Sequence, residues 1–480
     1  MERQRTWDWL DSAVEMIPFG LLAGFYGEKE IRITKLAEEG FCFRVFGELS
    51  GMQEKLRICF YDLKQNDYQE ILLTAATWKV ERQNEFFTSY AVAVQQEAYR
   101  MAVQKLFGQY DRYIRRKLEE DDSGLAEQMT GYPAKEDEVF ADCLETQMQE
   151  WFGKTVCLHP ETADGNRRDR RSGDHNVELA LELDRPALYT AFLQQDLETF
   201  LHHLCEENGV LTNCFYRRKP DRLYLGNAFC HLLFPDENEL FSMLEKARRE
   251  EIKVTITFSY VREYQLEHTE KLLEKLESWC CANETILEIV VNDWALADML
   301  KGKTYCLKPC LGVLLNKRKK DPRMSYKKGN RALLRQNSLN AEFYRAYLER
   351  EFGIHRFEWE SCGYEQQLPE STPGSGVENH LHLPFYQTNT SQYCTLYAGC
   401  EWGDRGRQSL VTECDKRCEK QAYLYPKHVH MAGRYNSLFG FDTEIFRQTG
   451  IADGNLEQME EFCREHHVSR LVLSCWQLNA

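Results

Sequence analysis

Val177-Glu178-Leu179-Ala180-Leu181-Glu182-Leu183 alternates apolar and polar side chains, then gives way to helical spacing through Leu197 and Leu204. A period of two marks a strand, and the change to a period near 3.6 marks the crossover after it. The rhythm recurs. Leu223-Tyr224-Leu225-Gly226 precedes a helix from Glu237 to Arg249, and Val254-Thr255-Ile256-Thr257-Phe258 precedes one ending near Trp279. Leu287-Glu288-Ile289-Val290-Val291 leads into a short helix through Met299, and Leu311-Gly312-Val313-Leu314-Leu315 into a basic loop and a helix near Phe343. Ile354–Trp359, Leu381–Phe385 and Arg470–Leu473 complete the series, the last fed by a helix over Leu456–Glu465. Eight strands joined by crossovers predict an α/β fold, a parallel sheet closed into a (β/α)8-like barrel over 175–480.

Upstream the pattern differs. Glu30–Ile33, Cys42–Phe46, Leu56–Phe60 and Glu70–Leu73 are short alternating runs separated by Gly, Asn and Asp, as in half-buried antiparallel strands. From Ser89 to Glu120 the apolar positions Val92, Tyr99, Val103, Leu106, Tyr110 and Ile114 take helical spacing. A small β-barrel with a closing helix is expected over residues 1–120, followed by a helical and polar linker over 121–174 that ends in the charged run Asp164–Arg171.

At 480 residues with 43% hydrophobic and 28% charged content, the chain is long enough for more than one folded domain. Its net charge of −16 opposes non-specific binding to nucleic acid. No apolar run reaches the length of a membrane span or a signal core, so a soluble, cytoplasmic protein without membrane insertion is expected. Of its 18 cysteines, those such as Cys59, Cys205, Cys230 and Cys475 stand singly in apolar strings and read as small core residues.

Cys394, Cys400, Cys414 and Cys418 read differently, because charged neighbours flank them: Glu401, Asp404, Arg405, Asp415, Lys416 and Arg417. Four thiolates in one loop-rich stretch suit an iron–sulfur cluster, with one tetrahedral zinc as the alternative. Zinc sites favour tight Cys-x2-Cys knuckles, whereas the pairs here enclose five and three residues, which favours a 4Fe-4S centre.

This stretch resembles the signature of peptidase family U32, which also covers bacterial RNA and ubiquinone hydroxylation proteins. Ala398-Gly399-Cys400 parallels that family's Ser-Gly-Arg-Cys, and Asp404-Arg405-Gly406 its Asn-Arg-Gly. Leu223-Tyr224-Leu225-Gly226 and Val290-Val291-Asn292-Asp293-Trp294-Ala295 are similar to two of its barrel strands. The resemblance implies an iron–sulfur enzyme performing oxygen-independent hydroxylation of an RNA base or quinone precursor, or the proteolysis of the family name. Residues 1–120 resemble a PilZ domain over Ile33-Thr34-Lys35-Leu36-Ala37-Glu38-Glu39-Gly40-Phe41. Lys35 and Ala37 replace the residues that grip cyclic di-GMP, so a domain used for protein contacts is expected rather than a nucleotide site.

Other candidates follow from position. Lys317, Arg318 and Arg323 lie in a basic loop after a barrel strand, where an anionic small molecule, modified base or quinone-type substrate is expected to bind. Asn227, Ser259, Asn292, Asp293 and Asn316 stand at strand ends, Arg405 lies between the cysteine pairs, and His428 and His430 alternate on a short strand. The contrasting reading is a non-catalytic sensor or adaptor that uses the N-terminal domain for contacts and the cluster as a brace.

Overall fold

The apolar alternation upstream of residue 100 does form a sheet, and a wider one than expected. A computed structural model of the chain describes residues 7–15, 21–49, 55–62, 67–119, 139–140, 177–211, 213–303, 305–316, 335–361, 366–371, 376–403, 407, 409–424, 431–441 and 443–476. These divide into two units between residues 137 and 138.

In the first unit β1 (Leu22–Tyr26), β2 (Lys29–Ala37), β3 (Gly40–Val45), β4 (Leu56–Asp62), β5 (Asp67–Leu72), β6 (Ala76–Gln83) and β7 (Thr88–Val94) form one antiparallel sheet in the order β5-β4-β1-β2-β3-β7-β6. The expected closed barrel is corrected to that extent, since β5 and β6 are not paired with each other among the described residues. The expected helix start is corrected too. Thr88–Val94 is a strand, because its β-branched and aromatic residues pair along β3 and β6, and the helix runs over Glu97–Leu118. Tyr99 anchors that helix on the sheet, its hydroxyl donating to the carbonyls of Ala37 (2.9 Å) and Gly40 (2.8 Å).

Gly40, which survives from the PilZ-like motif, has a packing role here: a Cβ would stand 2.2 Å from the Val92 carbonyl oxygen and 2.5 Å from the Trp9 ring. Lys35 is held between Glu15 (3.3 Å) and Glu81 (3.6 Å). Gly40→Ala is therefore expected to cost about 1–3 kcal/mol, the usual price of overpacking, read as a lower urea midpoint for this unit.

In the second unit β9 (Glu178–Leu183), β10 (Arg222–Gly226), β11 (Lys253–Thr257), β12 (Leu287–Val291), β13 (Leu307–Leu311), β14 (Arg356–Glu360), β15 (Glu378–Leu383) and β20 (Arg470–Leu473) close into an eight-stranded parallel barrel. The expected strand at Leu311–Leu315 is displaced: Leu307-Lys308-Pro309-Cys310-Leu311 forms β13, and the apolar run turns away at Gly312. The helices fall where the spacing predicts, including Leu456–Glu465.

Between β15 and β20 the chain departs from the barrel. β16 (Phe385–Thr390), β17 (Tyr423–Leu424), β18 (Met431–Arg434) and β19 (Ser437–Phe441) form an antiparallel sheet in the order β16-β19-β18-β17, with β8 (Val139–Phe140) added on β17. All four signature cysteines lie in this insertion, between β16 and β17. Most of the expected linker lies outside the described residues, but 139–140 within it is a strand of this sheet.

Both faces of every barrel strand are enclosed. The outward residues Leu179, Leu181, Leu183, Leu223, Leu225, Phe357 and Trp359 join the main core under the helices. The inward residues Ala180, Tyr224, Val290, Cys310 and Val472 make a separate cluster inside the barrel. The polar half of each alternating strand therefore points into the barrel rather than to water.

Candidate functional site

Inward positions of successive layers carry charge. At the lower end Arg470 donates to both carboxylate oxygens of Glu288 (2.7 and 3.1 Å) and to Glu178, and Arg222 donates to Glu178 (3.0 Å) and to Thr255 Oγ1 (3.2 Å). In the middle layer Glu358, almost wholly buried, lies 2.8 Å from His380 Nδ1 and 2.8 Å from His382 Nε2, and accepts from the Tyr224 hydroxyl at 3.2 Å.

Burial works against ionising these carboxylates, but the charges of Arg470 and Arg222 outweigh it and hold Glu178 down at about 2. For Glu358 burial is likewise overcome, by His380 and His382, again to about 2. The sign follows. A carboxylate depressed in the folded state contributes its full stabilisation above the ordinary value near 4.5 and loses it as pH falls toward 2. Acid unfolding of the barrel unit is expected to set in across that window, and Glu358→Gln to move its midpoint in a circular-dichroism pH titration.

Glu288, Cys310 and His380 also bring their donor atoms within 4.8 Å of one another. A metal ion there would compete with Arg470, already bidentate on Glu288, and with Arg222 (3.4 Å) and Arg356 (3.7 Å) beside the same carboxylate. Three guanidinium groups repel an added cation in a low-dielectric interior, so we read this triad as part of the ion-pair network.

Above this layer, at the carboxyl ends of the strands, is a narrow pocket whose polar wall is Glu182, Asp184, Asn227, Glu360, His382 and Ser474. Its apolar wall includes Phe385 and Trp476, stacked at 3.8 Å, and Phe439, edge-on to Trp476 at 5.1 Å. The insertion thus covers the barrel mouth, the end at which barrel enzymes place their chemistry. The bond from Nε2 to Glu358 leaves His382 Nδ1 facing Glu182 at 4.0 Å. Burial alone would lower the imidazole pKa, but the hydrogen bond to Glu358 and the charges of Glu358, Glu182 and Glu360 raise it. Burial raises the Glu182 carboxyl as well, and Asp184 and Glu360 add to that. Two titratable groups held 4.0 Å apart and both displaced upward form an arrangement able to give and take protons.

The cysteines meet the pocket through one residue. Tyr435 lies in the β18–β19 turn at φ 58°, a left-handed conformation unusual for an aromatic residue. Its hydroxyl donates to Asp184 in the pocket wall, and its carbonyl accepts the Cys394 thiol at 3.1 Å. Lys416, between Cys414 and Cys418, has φ 58° as well. Backbone amides point at two of the sulfurs, Tyr397 N to Cys394 Sγ and Lys416 N to Cys414 Sγ, each at 3.3 Å.

Burial pushes the Cys418 thiol well up, and neighbouring thiols add to it: Cys230, Cys394 and Cys414. Cys394 in turn feels Cys230 and Cys414. Burial likewise pushes the Cys230 thiol up to about 11, and Asn227 Oδ1 accepts the amides of Phe229 (2.8 Å) and Cys230 (2.9 Å). Cys400 faces the same loop, for Arg417, between Cys414 and Cys418, hydrogen-bonds its thiol. It lies six residues beyond Cys394 on the helix Thr395–Trp402, about one and two-thirds turns, and contacts Gln421 Oε1 at 3.6 Å. Among the described residues no three of these sulfurs fall within 4.8 Å of one another. A single zinc with bonds of about 2.3 Å needs closer approach than that, whereas the larger cluster spans wider separations.

The remaining sequence candidates divide. Asn292 donates to the Phe258 carbonyl (2.7 Å) and accepts from Leu314 N (3.1 Å), and Asp293 caps the helix Trp294–Met299 through Leu296 N (2.8 Å) and accepts from Val261 N. Both lock loops, and neither lines the pocket. Asn316 donates to the Glu358 carbonyl (3.1 Å), and Ser259 lines a separate groove beside His231. Lys317, Arg318, Arg323, Arg405, His428 and His430 lie outside the described residues.

No family model matches the chain, and no curated protein does. Among solved structures, an uncharacterized protein of Legionella aligns over 21% of this chain and 95% of its own at 13% identity, with a TM-score of 0.15, a value that bears on neither fold nor function.

Proposed function

We propose that this chain is an iron–sulfur barrel enzyme of the U32 type, with its cluster held by the cysteines of the insertion on the rim of the barrel-mouth pocket. The observation that carries this reading is the Tyr435 link, in which one strained residue contacts both a sulfur of the cysteine group and a carboxylate of the pocket wall. The donor set fits a cluster: clustered soft thiols, backbone N–H groups directed at sulfur, and spacings too wide for one preformed tetrahedral zinc. We assign Cys394, Cys400, Cys414 and Cys418 as its ligands, with Cys230 as a neighbouring thiol.

When bound, the cluster would supply electron transfer. The chain's own residues supply the rest. Glu358 orients His382, His382 and Glu182 exchange a proton with the bound molecule, and the aromatic wall excludes water. The reaction class this favours is oxygen-independent hydroxylation or a related modification of a small organic molecule. Carboxylates line the described wall, so the bound edge of that molecule should present hydrogen-bond donors. Proteolysis is disfavoured, because Ser474 donates to Glu182 rather than to an imidazole.

The adaptor reading makes a different prediction. A redox-active cluster in an enzyme should exchange one electron with dithionite and an added acceptor, followed by electron paramagnetic resonance. A cluster inert to that exchange, with His382→Ala leaving its spectrum and all ligand binding unchanged, would favour the adaptor.

A further inference from the structure

Two arginines at the barrel mouth are wholly buried and carry more donors than the protein satisfies. Arg185 donates through NH1 to Asp184 (2.7 Å) and to the Cys475 carbonyl (2.9 Å), while its Nε and NH2 have no partner. Arg434, the last residue of β18, donates through Nε to the Cys418 carbonyl (2.9 Å), while NH1 and NH2 have none. Its guanidinium lies over the rings of Tyr435 (4.9 Å) and Trp476 (5.0 Å). Both side chains are 0% exposed.

Charge is out of balance as well. Asp184 pairs with Arg185 and also accepts from Tyr435; among the described residues no carboxylate is in ion-pair contact with Arg434, which Arg185 repels and Asp184 attracts only from a distance. An unsatisfied buried donor costs about 1–3 kcal/mol, and a buried cation without a counter-charge several more. Such a pair is sustained only if something anionic completes it. Arg434 and Tyr435 are adjacent in sequence; the first holds the Cys418 carbonyl and the second accepts the Cys394 thiol, so the two sulfur-bearing residues bracket them. Stacking on two aromatic faces compensates part of the charge but offers no acceptor in the plane of the guanidinium.

We propose that Arg434, backed by Arg185, is the built-in counter-charge of the thiolate-ligated cluster and sets its reduction potential. This rests on the iron–sulfur reading above. A cationic donor beside the sulfurs stabilises the more negative, reduced state and so raises the potential. Arg434 and Arg185 act through the cluster and need not touch substrate.

The test uses the full chain, reconstituted anaerobically with iron and sulfide, with iron content and an electron paramagnetic resonance redox titration as readouts. Arg434→Gln should keep its iron while the one-electron equilibrium shifts about tenfold toward the oxidised form, about 59 mV more negative. Arg434→Lys, which keeps the charge, should shift less. An Arg434→Gln cluster at the wild-type potential overturns the proposal. So does an iron-free wild type whose thermal midpoint rises with phosphate or chloride, in an Arg434-dependent way, while the cluster potential stays fixed; the site would then hold a free anion. Should Arg434→Gln fail to fold by near-ultraviolet circular dichroism, Arg185→Gln carries the test, and an unmoved potential there overturns it equally. Wild-type protein that takes up no iron would instead sink the functional reading on which the proposal rests.

Discussion

Serine at Cys414 or Cys418 should strip the chain of iron, leaving no visible charge-transfer absorption after anaerobic reconstitution. Both sulfurs lie in one short loop whose turn is made by Lys416 in a left-handed conformation, with its amide on Cys414 Sγ. Serine keeps the volume and removes the soft ligand, so the loss would report ligation rather than packing. The informative comparisons are the other three cysteines. Cys394→Ser and Cys400→Ser should behave like Cys418→Ser, since Arg417 of the same loop holds the Cys400 thiol, whereas Cys230→Ser, outside the insertion, should retain iron. Retention by Cys400→Ser together with loss by Cys230→Ser would put Cys230 in the ligand set in place of Cys400.

Arg470→Met should destabilise the barrel unit by about 3–5 kcal/mol, the cost of leaving a buried carboxylate uncompensated. Arg470 serves two carboxylates, Glu288 and Glu178, at the lower end of the barrel and is itself 2% exposed. Replacing Arg470 and Glu288 together with apolar residues should recover part of the loss, because ion pairs in a protein interior contribute little beyond their own desolvation. Urea unfolding monitored by far-ultraviolet circular dichroism separates the outcomes. A single variant as stable as the wild type would mean that these charges are solvated.

The barrel was legible in the sequence because period-two runs alternating with longer helical stretches admit few architectures. β13 was misplaced by four residues, since Lys308 and Pro309 interrupt its apolar pattern while Leu311–Leu315 imitates a strand. The helix start was misplaced because Val92 satisfies both periods, and the β-branched content of Thr88–Val94 was the better guide. The interior network was written plainly in Glu178, Ala180 and Glu182 and in Arg356, Glu358 and Glu360, alternating with apolar residues, and less plainly in Glu378, His380 and His382, where Asn379 breaks the alternation. An alternating strand is ordinarily read as half-solvated; in a closed barrel the polar half has nowhere to go but inward, which makes those residues functional or structural candidates at once. Cys230 and Arg434 carried no comparable signal, for one stands alone in Ala228-Phe229-Cys230 and the other in Gly433-Arg434-Tyr435. Their significance comes from a loop and a hairpin that only folding brings beside the other cysteines.

The convergence of thiols on one inorganic centre is most directly tested by iron and acid-labile sulfide analysis of the full chain purified without oxygen. About four iron and four sulfide per chain, with the brown absorption of a cubane cluster, is the expected result. Stoichiometric zinc without sulfide, or no metal in protein that is folded and fully reduced, would contradict it.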